Sequence, residues 1–472
     1  MDTMPPAASA ALRRHDRPTP RYTSYPPAPQ FDSRFGHDDF ATAAAASNAS
    51  GRPLSLYVHV PFCASPCFYC GCNRIVTRDR RQAERYLADL AQEIALIAPL
   101  FTTGREVVQL HLGGGTPNFL APEQLAALVR TLGEHFHFSP RADRDFSIEL
   151  DPRTVDAAAI ATLATSGFNR ASLGVQDFDA DVQAAINRPQ GVAETRAVVD
   201  ACRDNGFRSL NIDLIYGLPK QTLQGFARTL DAVLAMAPDR LAIYSYAHMP
   251  ALFPPQRQIR AADLPDADTR FALLQLAIRE LTAAGYAYVG MDHFARPDDE
   301  LALAQQAGRL HRNFMGYTTH ADSDLIGFGV SAISHVDRSY SQNHRELGDW
   351  QAALGHGRQP LWRGVTLDRD DVLRADLIQQ LMCQARVDIP ALEARHGIRF
   401  HIYFREALAR LSPLADDGLV QVGSDALVVS AEGRLLLRVI AACFDRYLHE
   451  AESRVVELRP RHVPLTRQRA GG

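Results

Sequence analysis

Strand-like and helix-like apolar patterns take turns along the middle of this chain. Leu54-Ser-Leu-Tyr-Val-His-Val60 reads as a strand. The next stretch places Tyr86, Leu87, Leu90, Ile94 and Ile97 at helical spacing, which predicts a helix over 81–97. Val107-Val-Gln-Leu-His-Leu112 returns to a strand, and 122–136 to a helix. Phe146–Leu150, Ala171–Val175, Leu210–Ile215 and Leu241–Tyr246 bring the strands to six, with a helical stretch after the third and fourth. Strands that alternate with helices predict a parallel sheet with right-handed crossovers. An eightfold barrel needs two more units. The pattern breaks instead at Pro250-Ala-Leu-Phe-Pro-Pro255, so the expected fold is α/β, an open six-unit (β/α)6 partial barrel. Parallel sheets bind ligands at the carboxyl ends of their strands, and that is where chemistry is sought.

The flanks differ from this core. Residues 1–50, rich in Ala, Pro and Arg, read as an extended N-terminal arm with one helix near 38–48. Residues 51–364 form the partial barrel with its extension. Residues 365–450 form a mostly helical C-terminal domain: helices over 370–415, a hairpin from Gly418–Val422 and Ala426–Ser430, and a helix from Leu435 to Leu448. That order suggests a small winged-helix-like module. Residues 451–472 read as a tail.

Composition narrows the classes of function. The 472 residues carry a net charge of −4, which gives no global pull toward nucleic acid or an anionic membrane. No apolar run nears the roughly 20 residues of a membrane span. Met1–Pro20 lacks the continuous apolar core of a secretory leader, and the expected location is the cytoplasm. Five arginines, Arg74, Arg78, Arg80, Arg81 and Arg85, follow a cysteine run closely enough to influence an acidic substrate. Five more stand in the tail.

Four of the seven cysteines stand together, as Cys63-Ala-Ser-Pro-Cys67-Phe-Tyr-Cys70-Gly-Cys72. A structural zinc site wants two separated pairs, but Cys202, Cys383 and Cys443 are scattered singletons. Zinc stays open only if Cys72 is a fourth ligand. Disulfides suit neither the odd count nor the crowding. Three thiolates on one loop can hold a [4Fe–4S] cube and leave one iron open to a small molecule. The spacing C-x3-C-x2-C directly after a strand resembles the radical S-adenosylmethionine superfamily. Cys63, Cys67 and Cys70 are the expected ligands. Cys72 is expected to lie beside the S-adenosylmethionine pocket without touching iron, since two thiolates one residue apart would strain to reach two corners.

Other polar groups recur at strand ends. His111-Leu-Gly-Gly-Gly-Thr-Pro117 strips side chains where a ligand must approach backbone. Glu149 with Asp151, Gln176 with Asp177, Asp213, and Ser245 with His248 gather at successive carboxyl ends, suited to ribose hydroxyls and ammonium groups. Arg188 could take a carboxylate on the same rim.

A narrower resemblance rests on further segments. They are Pro20-Arg-Tyr-Thr-Ser-Tyr-Pro26, Cys67-Phe-Tyr-Cys-Gly-Cys-Asn73, Gly174-Val-Gln-Asp-Phe178, Asn211-Ile-Asp-Leu-Ile-Tyr-Gly-Leu-Pro219, Gly290-Met-Asp-His-Phe-Ala295, Arg312-Asn-Phe-Met-Gly-Tyr-Thr-Thr319 and Gly329-Val-Ser-Ala-Ile-Ser334. From about residue 20 to 450 the chain resembles the oxygen-independent coproporphyrinogen III oxidases. The resemblance implies conversion of two propionates of coproporphyrinogen III to vinyls, giving protoporphyrinogen IX for haem, through a 5′-deoxyadenosyl radical. It implies one [4Fe–4S] cluster and two S-adenosylmethionines. By motif position Tyr57, Tyr69, Gly114, Gly115, Thr116, Glu149, Gln176, Arg188, Asp213, Ala247 and Ile333 match the family's S-adenosylmethionine contacts. Arg21, Tyr22, Arg312 and Asn313 are candidates to meet the tetraanionic substrate, or to pin the arm to the barrel. A reduced donor such as a flavodoxin or ferredoxin is the expected protein partner, with no nucleic acid, no membrane and a monomeric chain. The alternatives are a haem-binding or haem-transfer protein on the same scaffold, and a cluster-based sensor that binds DNA through the C-terminal module. The second would need a basic recognition helix, and 418–448 shows few clustered bases.

Overall fold

The computed structural model describes residues 6–449. The proposed tail, 451–472, lies outside them. The chain divides into two compact units. One spans Phe31–Val372, and the other joins the residues up to Gln30 with those from Leu373 onward.

The larger unit is built on a mixed sheet whose centre is parallel. Its six central strands are β1 (Leu54–Val60), β2 (Glu106–Gly114), β3 (Asp145–Leu150), β4 (Arg170–Gln176), β5 (Ser209–Tyr216) and β6 (Arg240–Ser245). They lie side by side in sequence order, all parallel. The helices between them include Arg81–Ile97, Pro122–His135, Ala157–Thr165, Val192–Asp204 and Leu223–Leu234. The expectation that the sheet pattern stops after strand six needs correction. β7 (Asp324–Phe328) pairs in parallel with β1, and 333–336, 339–343 and 361–366 add antiparallel strands beyond it. Strands 287–290 and 293–295 extend the other edge. These strands are short, and several follow loops rather than helices, so no βαβ period announces them. The sheet is open, with an edge at each end.

Side chains alternate across each strand, and here the two faces differ in chemistry. Leu56, Val58, Leu110, Leu112, Ile148, Leu173, Ile212 and Ile243 are almost wholly buried in a core with Leu90, Ile94, Leu128, Leu163, Val199 and Leu230 of the helices. The alternate positions are polar. At the amino ends of the strands they form a chain across the sheet. Ser55 donates to Gln109 Oε1 (3.2 Å), and Gln109 Nε2 to Asp145 (3.1 Å). Arg170 pairs with Asp145 (3.2 Å) and Glu300 (2.7 Å), and Arg240 with Glu300 and Asp299 (both 2.9 Å). Buried charges persist only when paired in this way.

Behind β1, a fully buried acid closes the layer. Glu93 accepts hydrogen bonds from Gly329 N (2.7 Å), Asn343 Nδ2 (2.6 Å) and Trp350 Nε1 (3.2 Å). Two turns earlier on the same helix, Tyr86 donates to the His59 carbonyl (2.6 Å). Gly329 has φ +91, and a Cβ there would stand 2.7 Å from the His59 oxygen, so glycine is required at this approach.

The smaller unit contains a helix the arm's composition concealed, Pro6–His15. The arm was expected to be extended there. Proline at the first helical position and the alanines that follow favour a helix without any apolar period, and Ala11 and Leu12 are buried. The expected helix near 38–48 is present as His37–Ser50, in the larger unit. Helices at Arg369–Gln384, Ile389–His396 and Arg405–Asp416 precede the hairpin of Val420–Val422 and Ala426–Val429, whose second strand also pairs with Arg386–Asp388. The helix expected from Leu435 to Leu448 stops at Ala442. Asp445 interrupts it, because its carboxylate accepts the N–H groups of Tyr447 (3.0 Å) and Leu448 (3.2 Å) and so caps a new turn. Among the described residues no helix is long and apolar enough to cross a membrane.

Burial raises the Glu93 carboxyl to about 8 against the three donors that favour its charged form. A carboxyl held above its unfolded value contributes stability that is lost as pH rises from its ordinary range through about 8. Glu93→Gln should flatten that part of the stability–pH curve. Glu93→Leu should lower stability by more than about 2 kcal/mol, since three buried donors lose their acceptor. Denaturant titrations across pH check both.

Candidate active site at the carboxyl ends of the strands

β1 delivers the chain directly into the cysteine loop. The short segments Phe62–Cys63 and Ile75–Val76 pair in parallel and close the loop at its base. β2 ends at the glycines, whose N–H groups continue the ladder: Gly115 donates to Val60 O (2.8 Å) and Thr116 to Phe62 O (2.9 Å). This contact is why the sequence needs glycine here. A Cβ on Gly115 would lie 2.7 Å from the Pro61 carbonyl, and one on Gly114, at φ +114, 2.6 Å from the His59 ring.

A cavity of about 440 Å³ opens at this end. Cys63, Cys67, Cys70 and Cys72 all line it, with Tyr69, Gly114, Gly115, Thr116, Glu149, Gln176, Arg188 and Asp213. Three of the expected contacts do not. Tyr57 lies outside the lining, its hydroxyl on His59 Nδ1 (3.0 Å) and its ring stacked on His111. Ala247 offers a carbonyl that accepts from Gln256 (3.2 Å), and Ile333 begins a strand that lies between β7 and 339–343. Of the substrate candidates, Arg312 is buried with its guanidinium over the Tyr317 ring (4.8 Å), and Asn313 accepts from Met315 N (2.9 Å). Arg21 and Tyr22 belong to the smaller unit, where Tyr22 is buried and donates to Asp445 (3.0 Å).

Each ligand-candidate sulfur has a polar partner. Thr116 Oγ1 lies 3.3 Å from Cys63 Sγ, Arg188 Nη1 3.5 Å from Cys67 Sγ, and the Cys72 N–H 3.4 Å from Cys70 Sγ. Arg74 donates to the carbonyls of Cys67, Cys70 and Cys72 (3.3–3.4 Å). The Cys70 thiol is lowered to about 6, first by a hydrogen bond from the Cys72 thiol, while burial raises Cys63 to about 11. Among the described residues no three Cys, His, Asp or Glu side chains could hold a single metal ion. The corners of an iron–sulfur cube are several ångström apart, so its thiolates need not converge. The three thiols and their donors fit such a cluster: thiolates are its usual ligands, and hydrogen bonds to sulfur tune it.

The polar face of the strands supplies the rest. Glu149 accepts from Gly114 N (3.2 Å) and faces His111 Nε2 (3.4 Å), which outweigh its burial and hold its pKa below the usual range. Asp213, bound by Ser172 (2.9 Å) and Asn211 (2.8 Å), is raised to about 6, first by burial and then by the nearby Glu149 charge. Arg188 spans the rim to Gly174 O (2.6 Å) and Asp151 (3.4 Å), and its buried Nε has no hydrogen-bond partner. These donors and acceptors fit an amino acid and a ribose. Sequence reasoning passed over Asn118, Arg153 and Ser172. Asn118 ties the Gly-rich segment to β3 through Asp151 N (2.9 Å) and O (3.1 Å). Period-two alternation in β4 would have found Ser172, which shares a face with Gly174.

Residues 57–233 match the radical SAM superfamily, and 367–436 the HemN C-terminal domain. The chain is 50% identical to the oxygen-independent coproporphyrinogen III oxidase of Salmonella typhimurium, over 93% of this chain and 95% of the relative. It belongs to that family. The Pseudomonas aeruginosa member is 48% identical, again over 93% and 95%. The solved structure of coproporphyrinogen III oxidase (HemN) from Escherichia coli, described as a radical SAM enzyme, superposes with a TM-score of 0.88 at 50% identity. It covers 90% of this chain and 97% of its own. The fold is accordingly the α/β radical SAM fold.

Gly115→Ala should force β2 away from Pro61. We expect a loss of about 1–3 kcal/mol in stability, read by denaturation, and weaker S-adenosylmethionine binding, read by calorimetry.

Proposed function

We propose that this chain oxidatively decarboxylates coproporphyrinogen III to protoporphyrinogen IX without oxygen. The observation that carries the reading is one cavity. It gathers three cysteines of a C-x3-C-x2-C loop, a Gly-rich strand end and paired carboxylates, in a chain half identical to enzymes of that name. When bound, the [4Fe–4S] cluster and S-adenosylmethionine supply the electron and the hydrogen-abstracting radical for a step that acid–base chemistry cannot perform.

The chain's own residues position and shield. Cys63, Cys67 and Cys70 hold three corners of the cluster; Cys72 stands beside the pocket. Gly114, Gly115 and Thr116 let the amino acid end of S-adenosylmethionine reach backbone, and Glu149 receives its ammonium. Asp213 and Gln176 face ribose hydroxyls, and Arg188 a carboxylate. Tyr57, Tyr69, Ala247 and Ile333 complete the contacts of two S-adenosylmethionines, Ala247 and Ile333 through backbone. Arg21, Arg312 and Asn313 are proposed to meet the substrate's carboxylates. Tyr22 holds the arm in place through Asp445, as its burial supports.

The six strand–helix units form an open (β/α)6 partial barrel within 51–364. Residues 1–50 serve as an arm and 365–450 as a winged-helix-like module. Cys63, Cys67, Cys70, Cys72, Cys202 and Cys443 form no disulfide, which supports a reducing cytoplasmic setting. The chain works as a monomer supplied by a flavodoxin or ferredoxin.

The test is anaerobic incubation of the reconstituted protein with coproporphyrinogen III, S-adenosylmethionine and a reductant. Protoporphyrin and 5′-deoxyadenosine should form together; haem binding without either product would sink the reading. Cys63→Ser, Cys67→Ser and Cys70→Ser should each lose the cluster and turnover, whereas Cys72→Ser should keep the cluster.

Asp213 yields a pH prediction. Its raised pKa leaves it largely neutral below about 6, so affinity for cationic S-adenosylmethionine should increase as pH rises through that value. Calorimetric titration should show this dependence, and Asp213→Asn should remove it.

A further inference from the structure

The loop that carries the cysteines makes little of its own structure. Across the run from Cys63 to Cys70 its one internal backbone hydrogen bond is Cys70 N–H to Cys67 O, at 3.4 Å. Backbone groups left unmatched in a loop must find partners elsewhere. Arg74 takes the Cys67 and Cys70 carbonyls, and two carboxamides from distant parts of the chain take others, one in each interval between cysteines.

Asn187 serves the interval Cys63–Cys67. Its Nδ2 donates to the Pro66 carbonyl at 2.7 Å, and the adjoining Ile186 carbonyl accepts the Phe68 N–H at 3.0 Å. Gln256 serves the interval Cys67–Cys70. It is 1% exposed, and its Nε2 donates to the Tyr69 carbonyl at 2.9 Å and the Ala247 carbonyl at 3.2 Å. Its Oε1 accepts the Met249 N–H at 2.6 Å, so both ends of the amide are committed. From the same segment, the Phe253 ring packs over Gly71, where a Cβ would come within 3.1 Å of it.

Asn187 has a competing backbone reason to be asparagine. It follows the helix Ala180–Ala185 with φ +54, a conformation that asparagine tolerates. That accounts for the backbone and not for an amide aimed at Pro66. Gln256, at the 3-10 turn Pro254–Gln258, has no such reason.

We propose that Asn187 and Gln256 are positioning residues for the iron–sulfur cluster, two amide clamps that preset the spacing of Cys63, Cys67 and Cys70. The inference rests on the reading that these cysteines hold a [4Fe–4S] cluster. A loop already held in its ligating form gives up less conformational entropy when the cluster binds. The clamps also fix where each sulfur stands relative to Thr116, Arg188 and the Cys72 N–H, and such contacts tune a cluster's reduction potential.

The experiment uses the full chain, reconstituted anaerobically. Asn187→Asp and Gln256→Glu keep shape but replace the donor N–H with an acceptor. Asn187→Gly keeps the left-handed backbone and removes only the side chain. Three quantities are read: the rate of iron loss to a chelator, the EPR spectrum and midpoint potential of the reduced cluster, and the melting temperature of the apoprotein. We expect N187D and Q256E to lose iron about tenfold faster than the parent, the scale of one lost hydrogen bond to a positioned group. N187G should lose it about threefold faster, with the apoprotein's melting temperature within about 3 °C of the parent. The EPR spectrum and potential should shift in the acid variants. Parent-like iron retention and spectra would overturn the proposal. So would iron retention that falls only in step with the apoprotein's melting temperature, under an unchanged spectrum. Should an acid variant fail to fold, N187G decides by the same readings, since a purely backbone role leaves its iron retention unchanged. A parent chain that takes up no [4Fe–4S] cluster would overturn the underlying reading, a result distinct from parent-like variants.

Discussion

A polar side chain inside a sheet must be paired or it destabilises the fold by several kcal/mol, and the six parallel strands are built around that constraint. Most parallel sheets are apolar on both faces. Here one face packs on helices while the other carries Ser, Gln, His, Asp, Glu and Arg on nearly every strand. At the amino ends these groups pair with one another, from Ser55 through Gln109, Asp145, Arg170 and Glu300 to Arg240, with the Arg170–Asp145 contact an ion pair rather than a hydrogen bond. At the carboxyl ends the polar groups line a cavity instead. Glu149 and Asp213 face each other's charge, and Arg188 keeps a buried Nε without a hydrogen-bond partner. The same face therefore carries a side-chain network at one end and the polar lining of a cavity at the other.

The cavity follows from how β1 and β2 leave the sheet. The ladder runs past their ends through Gly115 and Thr116, bringing the Gly-rich segment against Pro61 and Phe62. That contact aims the cysteine loop over the polar face. Behind it, the buried Glu93 and Tyr86 fasten the Gly329 turn and the His59 carbonyl to one helix, so the base of the loop rests on a fixed layer. The loop itself is held from outside, by Arg74, Asn187 and Gln256. Reactions that depend on radical transfer over short distances need this kind of fixed geometry more than they need acid–base groups.

The carboxyl groups at the site differ because their surroundings differ. Glu149 has a backbone N–H and a histidine at hand, which lower its pKa despite burial. Asp213 is buried near a charge of its own sign, and a hydroxyl, an amide and the Arg188 charge do not offset that. One carboxyl is thus held below its usual range and the other above it on the same polar face.

By itself the sequence determined the six parallel strands, most of the helices between them and the grouping of four cysteines on one loop. Those features are local: strand and helix periods lie within a few residues, and a C-x3-C-x2-C loop carries its cysteines on one short segment. It also placed Gly114, Glu149, Gln176, Arg188 and Asp213 together, because parallel strands put successive carboxyl ends on one rim. Only the tertiary structure decided the rest. That β7 joins the sheet beside β1 depends on pairing across some 270 residues, as in Leu54 with Asp324. That Tyr22 is buried against Asp445 depends on the two ends of the chain sharing a unit. Asn187 and Gln256 look like ordinary surface amides in sequence. Their hydrogen bonds to Pro66 and Tyr69 exist because folding brings distant backbone to them, and no local pattern encodes a partner that far away.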